Sequence, residues 1–292
     1  MEQNLATTPF NLVSSSTIYF SVKLSDLTVD NQPVEGFAAV YRPDIQKTLA
    51  IHRHGYNLVK NEDIYPNFES ALHQSPINTK NMISFFELCT DGAKTVGHYI
   101  FPEHCFEPIP GEKIYLHIKL VSTYDGSLPL SSTASGWRAE TNTGIVLTNS
   151  IIHKYGKKSN RQINPETVIK NVTTDLNLFN QEAQLWEYWA HLPVTDEDVH
   201  DIGFLLCLVK KKRSVDTKYT NRAKFKLIEL YHIERKKLGR TAWALVNALN
   251  LWVYCNQFRK DALNNKATTI LGRESKVIDI LKHDKILDLG QS

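Results

Sequence analysis

The segment KIYLHIKLVSTY, residues 113–124, alternates apolar side chains with basic or aromatic ones along most of its length. Its two faces are apolar on one side and basic or aromatic on the other: Ile114, Leu116, Ile118 and Leu120 against Lys113, Tyr115, His117 and Lys119. A repeat of two residues is typical of a β-strand with one face on the core. The segment therefore predicts a strand whose second face presents cations and an aromatic ring to solvent.

Shorter segments on both sides repeat this alternation, so the first half of the chain is predicted to consist mainly of strands. Turn residues separate them, and Asp91-Gly92 favours a hairpin. A helix is predicted from Asn61, as its capping residue, to about His73. The predicted strands cover residues 18–24, 36–42, 48–54, 82–89, 95–101, 133–140 and 144–148.

The second half changes to the 3.6-residue repeat of helices. Pro165 predicts a helix start and Pro193 its end, and Thr195 with Asp198 resembles a capping box that begins the next helix. Further helical stretches are predicted at residues 245–253 and, more weakly, at residues 267–289.

These elements predict an α+β protein with an antiparallel sheet in the N-terminal half and a helical C-terminal half packed on one face of that sheet. The mainly β part is expected to cover residues 1–150 and the mainly helical part residues 151–292. Both parts are expected to form one continuous domain with a core from about residue 36 to residue 281.

Composition favours a cytoplasmic globular protein, with 42% hydrophobic and 22% charged residues. No apolar run approaches the roughly 18 residues that a membrane helix needs, and the N-terminal residues do not resemble a secretion signal. The four cysteines are scattered and form no CxxC pair, which is typical of a reduced protein.

Charge is distributed unevenly along the chain. Residues 210–240 contain twelve Lys and Arg but only three acids, a net charge of +9, whereas the whole chain carries +3. Residues 151–161 add four cations and no acid. Two basic blocks on an otherwise acidic chain indicate a local polyanion-binding surface, and the alternative is a solvated basic surface without a ligand.

A nucleic acid is the polyanion that we expect. The residues predicted to contact phosphates are basic: Lys113, Lys119, Arg138, Lys157, Lys158, Arg161, Lys210, Lys211, Lys212, Arg213, Lys218, Arg222, Lys224 and Lys226. Aromatic rings near such cations are typical of single-strand binders, so Trp137 and Tyr155 are candidate stacking residues, with core packing as their alternative.

Motifs that identify a reaction are absent from the sequence: it contains no Walker A, GxGxxG, nucleophile elbow or HExxH motif, and no cofactor or small-molecule substrate is evident. Asp125-Gly126-Ser127 fits a turn better than a catalytic site. Five residues are candidate metal ligands, although their spacing is poor for zinc: His98, His104, Cys105, His117 and His153.

Several segments in order resemble a family of plasmid- and phage-borne proteins, the domain of unknown function nine-three-two, which includes an uncharacterised family of prophage proteins. The resemblance runs from about residue 36 to residue 281. The segments that carry it are AVYRPDIQKTLAIHRHGYNLVKNEDIY, TYDGSLPL, GWRAETNTGIVL, LPVTDEDV, GRTAWALVNALNLWVY and GRESKVIDIL. Within them, Asp125, Gly126, Ser127 and Asn142 form a motif of unknown role.

This resemblance implies a mobile-element context, often near genes of DNA metabolism. Tyr124 stands where the family usually has His, and Glu140 stands near its usual Cys, so the resemblance does not carry a catalytic role of that His or Cys over to this chain. The predicted architecture also resembles, as a fold analogy only, the single-strand annealing proteins of the Red-beta kind.

The sequence thus favours a phage or plasmid protein that binds or anneals single-stranded DNA in recombination or replication. It is expected to act as a homo-oligomer without a membrane or a small-molecule substrate. A non-catalytic protein that binds a protein partner, as an anti-defence or host-takeover factor, is the first alternative. A metal-dependent nuclease using Asp125 and Glu140 is the second.

Overall fold

The computed structural model describes residues 12–30, 32–155, 163–208, 217–255, 266–287 and 289. Ten strands occupy most of its first half: β1 Leu12–Val13, β2 Lys23–Val29, β3 Gln32–Arg42, β4 Lys47–Arg53, β5 Ile83–Cys89, β6 Lys94–Phe106, β7 Ile114–Thr123, β8 Ser131–Arg138, β9 Thr143–Val146 and β10 Ile152–Lys154. The helices are α1 Ser15–Ile18, α2 Asn61–Gln74, α3 Pro165–His191, α4 Asp196–Leu208, α5 Thr217–Leu238, α6 Ala242–Tyr254, α7 Lys266–Leu281 and α8 Asp284–Leu287. The α+β class is therefore confirmed.

The larger sheet is antiparallel and places β7 at its centre. Its strands follow the order β1-β5-β6-β7-β8-β10, and β9 also pairs with β8. Leu116 of β7 pairs with Phe101 of β6 on one side and with Gly136 of β8 on the other. The predicted hairpin of β5 and β6 is confirmed, with a short 3₁₀ turn at Thr90–Gly92.

Helices α2 and α3 pack on the sheet face that carries Leu116. Two glycines allow their aromatic side chains to approach the strands closely. A Cβ added to Gly97 would lie 2.8 Å from Tyr65 of α2, and one added to Gly136 would lie 3.0 Å from Trp186 of α3. Tyr65 and Trp186 are both fully buried, so this face forms the main core.

The opposite face of the sheet is also covered. Leu271 of α7 packs against Val96 and Val121, and all ten residues of β7 are buried. The predicted solvent exposure of this face is therefore wrong for Tyr115, His117 and Lys119, which are buried, and Glu274 of α7 pairs with Lys119.

A second antiparallel sheet has the order β2-β3-β4. Val40 of β3 packs with Val22 and Tyr124, and the Nε2 atom of His52 lies 2.6 Å from the carbonyl oxygen of Tyr124. These contacts attach one face of the small sheet to the end of β7.

Local signals explain several helix ends. The side chain of Asn164 accepts a hydrogen bond from the amide of Thr167, and Thr195 and Asp198 form the reciprocal bonds of a capping box. The cap predicted at Asn61 is wrong, because its side chain is buried and donates instead to the carbonyl oxygen of Ile18.

Two other differences concern whole elements. Residues 18–24 were predicted as one strand, but Ile18 ends α1 and β2 begins at Lys23. Helix α5 was not predicted, although its buried Leu227, Tyr231 and Leu238 follow a helical spacing.

Among the residues that the structure describes, none of the helices combines the length and the apolar character required to cross a membrane.

Candidate nucleic-acid interface

Lys119 is buried under α7 and cannot form the wall of a surface groove. Its Nζ atom lies 2.5 Å from both carboxylate oxygens of Glu274, and Tyr254 donates a hydrogen bond to the same carboxylate at 2.9 Å. The predicted phosphate contact of Lys119 is therefore wrong in this structure. Lys113, just before β7, is exposed, with its Nζ 4.0 Å from Glu107.

Arg138 is also buried, inside a cluster of acids. It donates hydrogen bonds to Glu112 and Glu234, at 2.8 Å for Glu234, and it lies 3.3 Å from Glu140. Lys237 of α5 donates to Glu112 at 2.9 Å and also pairs with Glu140. The phosphate contact predicted for Arg138 is wrong, because its guanidinium is paired with carboxylates. These pairs connect the sheet to α5.

Glu234 and Glu140 of this cluster have pKa values shifted in opposite directions. Burial raises the pKa of Glu234 above its ordinary value in spite of the nearby Arg138 charge. Burial acts in the same direction on Glu140, but hydrogen bonding from Lys237 and the charge of Arg138 prevail and lower its pKa. The cluster is thus a structural ion-pair network.

The two candidate stacking residues belong to the core. Trp137 is buried between the rings of Phe85 and His117. The Tyr155 hydroxyl is hydrogen-bonded to Ser132 at 2.6 Å, and its ring packs edge-on against Phe68. The stacking role predicted for Trp137 and Tyr155 is wrong, because neither ring has a free face for a base.

Helix α5 carries the cations that solvent can reach. Arg222 is exposed and Lys224 is half-buried, and neither has an acidic partner among the described residues. Lys226 pairs with Glu229 at 2.7 Å. Lys236 near the end of the helix is exposed and likewise lacks an acidic partner in the described part of the chain.

Other predicted contacts cannot be placed. Lys218 lies in the first turn of α5, and its side chain is not described. The remaining basic candidates lie outside the described residues: Lys157, Lys158, Arg161, Lys210, Lys211, Lys212 and Arg213.

The motif after β7 is a turn. The amide of Ser127 donates to the Asp125 carboxylate at 2.9 Å, and Gly126 has a φ of +66°. The Asp125 carboxylate also lies 3.5 Å from the Nζ of Lys94. Asn142 has a φ of +51° in the turn between β8 and β9. These geometries match the turn interpretation.

Asp125 and Glu140 do not share a metal site. Ile114 pairs with Arg138, so Glu140 lies beyond the first residue of β7, whereas Asp125 follows the last residue. A ten-residue strand at about 3.3 Å per residue separates the two carboxylates by about 30 Å. Asp125 and Glu140 therefore cannot bind one metal ion together, as the nuclease alternative requires.

Two of the candidate metal ligands, His98 and His117, instead belong to a buried chain of polar side chains that the sequence did not predict. His98 lies 2.9 Å from Glu87 and 3.1 Å from His117, and His117 lies 2.8 Å from the hydroxyl of Ser135. Burial, His98 and Lys119 hold the pKa of His117 well below its ordinary value. Period-two alternation on β6, β7 and β8 placed these polar residues on one face, but it did not indicate their partners.

The other three candidate metal ligands do not belong to this polar chain. His104 accepts a hydrogen bond from the amide of Asn78, Cys105 is exposed, and His153 lies 2.8 Å from Asp175. Within the described ranges, no group of three or more potential ligands could hold a metal ion.

A small cavity adjoins the buried polar chain. Its volume is about 20 Å³, and its polar lining comes from strands and helices on the α7 side: Glu87, His98, Lys119, Tyr254 and Glu274. Such a volume accommodates about one water molecule. The cavity is therefore too small for a nucleotide or another organic substrate.

Exposed aromatic and basic side chains occur together on the small sheet, where the sequence predicted no site. Phe37 and Tyr41 flank three buried residues of β3, and Lys23 and Arg53 lie on the neighbouring strands. Two aromatic residues an even number of positions apart in one strand, with basic residues on the strands before and after it, are the signal that could have found this surface.

Comparison of the chain with protein-family models, with curated proteins and with solved structures finds no match.

Proposed function

We propose that this chain is a nucleic-acid-binding protein that binds single-stranded DNA during recombination or replication of a phage or plasmid. The observation that carries the proposal is the surface of α5. Arg222, Lys224 and Lys236 reach solvent there without acidic partners among the described residues. Cations that are not neutralised by neighbouring carboxylates remain available for phosphates.

The sequence next to α5 supports the same proposal. Residues 210–213 are four consecutive Lys and Arg, and they precede α5 along the chain. The resemblance to phage and plasmid proteins gives the proposed context, and homo-oligomerisation in the cytoplasm belongs to the same proposal. A longer basic surface formed by several copies would follow a single strand over more phosphates.

Fluorescence anisotropy of a labelled oligothymidylate across a salt series tests this function. For single strands, the logarithm of affinity falls against the logarithm of salt concentration with a slope of about −0.7 per phosphate contact. We expect a slope equivalent to several contacts and a preference for the single strand over a duplex competitor. An absence of binding at about 50 mM salt, where electrostatic attraction is strong, would overturn the proposal.

The variant Arg222→Gln tests whether Arg222 of α5 contacts a phosphate. We expect this variant to make the slope shallower by about 0.7, because one phosphate contact is lost. Lys60→Gln removes the same charge from an exposed residue that is already paired with Glu62 at 3.0 Å, and it should leave the slope unchanged. Equal slopes for the two variants would exclude Arg222 from the phosphate contacts.

A second proposal, a non-catalytic protein that binds a protein partner, has its own observation. Phe225 and Ile233 on α5 are 66% and 53% exposed. Large apolar side chains at a surface are typical of protein interfaces. A partner bound in fixed stoichiometry with weak salt dependence, together with no affinity for oligothymidylate, would favour this second proposal.

A further inference from the structure

The small sheet has one face opposite to the face that packs against Val22 and Tyr124. Its strand register sets eight side chains in three rows on that face: Lys23, Tyr41 and Thr48; Ser25, Ala39 and Ile51; Phe37 and Arg53. The opposite face contains Val40, which is fully buried against Tyr124 and Val22. We call the eight residues the platform.

Aromatic and apolar side chains of the platform reach solvent. Phe37 is 40% exposed and Ile51 is 53% exposed. Tyr41 is half-buried, and the Nζ of Lys23 lies 5.8 Å from the centroid of its ring. Three residues lie between Phe37 and Tyr41 along β3, so a rise of four residues at ~3.4 Å each places the two positions about 14 Å apart. The rings are therefore far enough apart to hold two different bases.

The charge of the platform has one sign. Lys23 and Arg53 are exposed, have no acidic partner among the described residues, and the three rows contain no acid. Asp26, the nearest acid on β2, belongs to a row on the opposite face, opposite Ala38. Two cations beside two rings match the chemistry of a phosphodiester chain with unpaired bases.

We propose that the platform is a base-stacking surface for single-stranded DNA, with Phe37 and Tyr41 each stacking on one base and with Lys23 and Arg53 contacting phosphates. The inference rests on the proposed function and assigns to it a site separate from α5. Aromatic rings on a sheet stack only on bases that are not already stacked within a duplex, so the platform would also explain a preference for single strands.

Alanine variants test the platform directly. With an oligothymidylate of about 30 nucleotides, Phe37→Ala and Tyr41→Ala are each expected to raise the Kd about 5- to 150-fold, the effect of losing one stacked base. Tyr41→Phe keeps the ring and should bind like the wild type. Tyr188→Ala removes an exposed aromatic side chain of α3 and serves as the matched control.

A tryptophan reporter separates stacking from a general loss of folding. The five native tryptophans are buried in the described structure, so Tyr41→Trp adds a ring that the oligonucleotide can reach. We expect its fluorescence to be quenched when oligothymidylate binds and to be unaffected by inorganic phosphate.

Two results would overturn the inference, and they differ in meaning. If Phe37→Ala and Tyr41→Ala bind like the wild type while Arg222→Gln weakens binding, the chain binds single-stranded DNA but the platform does not. If the wild type fails to bind oligothymidylate at low salt, the proposed function is wrong and the platform inference fails with it.

Discussion

Individual polar residues inside the protein are stabilised by one another. Glu87, His98, His117 and Ser135 form a continuous chain of contacts of 2.8–3.1 Å across the sheet. All four side chains are buried, so each would lose more free energy by being left without a partner than it gains from one hydrogen bond. The stability of the folded protein therefore depends on protonation states that preserve these contacts.

The pH dependence of stability should reveal His117. Its pKa in the folded protein is lowered by burial, His98 and Lys119, whereas the unfolded chain binds a proton near pH 6.5. Below that pH the unfolded state binds more protons than the folded state, so the free energy of unfolding falls as pH falls. We expect a loss of about 1.4 kcal/mol per pH unit from this residue.

Urea unfolding of the wild type and of His117→Gln between about pH 7.5 and pH 5.5 measures this loss. The variant should be less stable at the higher pH, and the difference should shrink as pH falls. Buried carboxyl groups with raised pKa values, such as Asp175 and Glu182, act in the opposite direction, but they are present in both proteins and cancel in the difference. A difference that is constant with pH would show that folding does not lower the pKa of His117.

Among the elements, β7 and α5 show what a single sequence can and cannot predict. The alternation of residues 113–124 predicted the strand to within one residue at each end. It did not predict that the polar face is buried, because the partner of Lys119 is Glu274, which lies 155 residues away along the chain. Contacts over such a distance depend on the tertiary structure and leave no local pattern.

Helix α5 shows the opposite case, because the sequence contains a helical pattern of apolar residues there that was not used to predict a helix. Its inner residues Leu227, Leu230, Tyr231 and Leu238 are buried at helical spacing. The dense positive charge of this segment also predicts ligand binding, although Lys237 pairs with Glu112 and attaches the helix to the sheet. The basic candidates Arg222 and Lys224 remain on its surface, whereas Arg138, predicted from the same kind of evidence, is buried.

The attachment of α5 to the sheet depends on Arg138. We expect Arg138→Met to lower the free energy of unfolding by about 3–5 kcal/mol, because Glu112, which has no exposed side-chain surface, loses its main partner. Urea unfolding followed by circular dichroism gives the value.

Two comparisons check the cause of that loss. Lys60→Gln breaks an exposed ion pair and should cost at most about 1 kcal/mol. Adding Glu112→Gln to Arg138→Met should restore part of the stability, because one buried charge is then removed. A loss of stability below about 1 kcal/mol for Arg138→Met alone would contradict the role of Arg138 in attaching α5 to the sheet.

At the scale of the whole molecule, the charges available to a ligand differ from those counted in the sequence. Lys119, Arg138 and Lys237 are occupied by carboxylates, although each adds to the formal charge. Exposed cations that lack an acidic partner among the described residues include Arg222 and Lys236 on α5 and Lys23 and Arg53 on the platform. A prediction of a binding surface from charge counts is therefore accurate only after the buried pairs have been subtracted.

The two halves of the chain share one hydrophobic cluster, which contains residues of the large sheet and of helices α2 to α8. Trp186 of α3 reaches Gly136 of β8, and Tyr254 of α6 closely approaches Gly144 of β9. The predicted single domain remains a prediction, and this shared core is the packing that such a domain would require.

The complete burial of β7 has a consequence for isotope exchange. Its backbone amides lie between β6 and β8, with helices over both faces, so local opening of the sheet should not admit solvent to them. Their deuterium uptake, followed by mass spectrometry of peptides covering residues 114–123, should be the slowest in the protein and should track the global free energy of unfolding. Faster uptake there than in β2–β4 would show that the central strand opens independently.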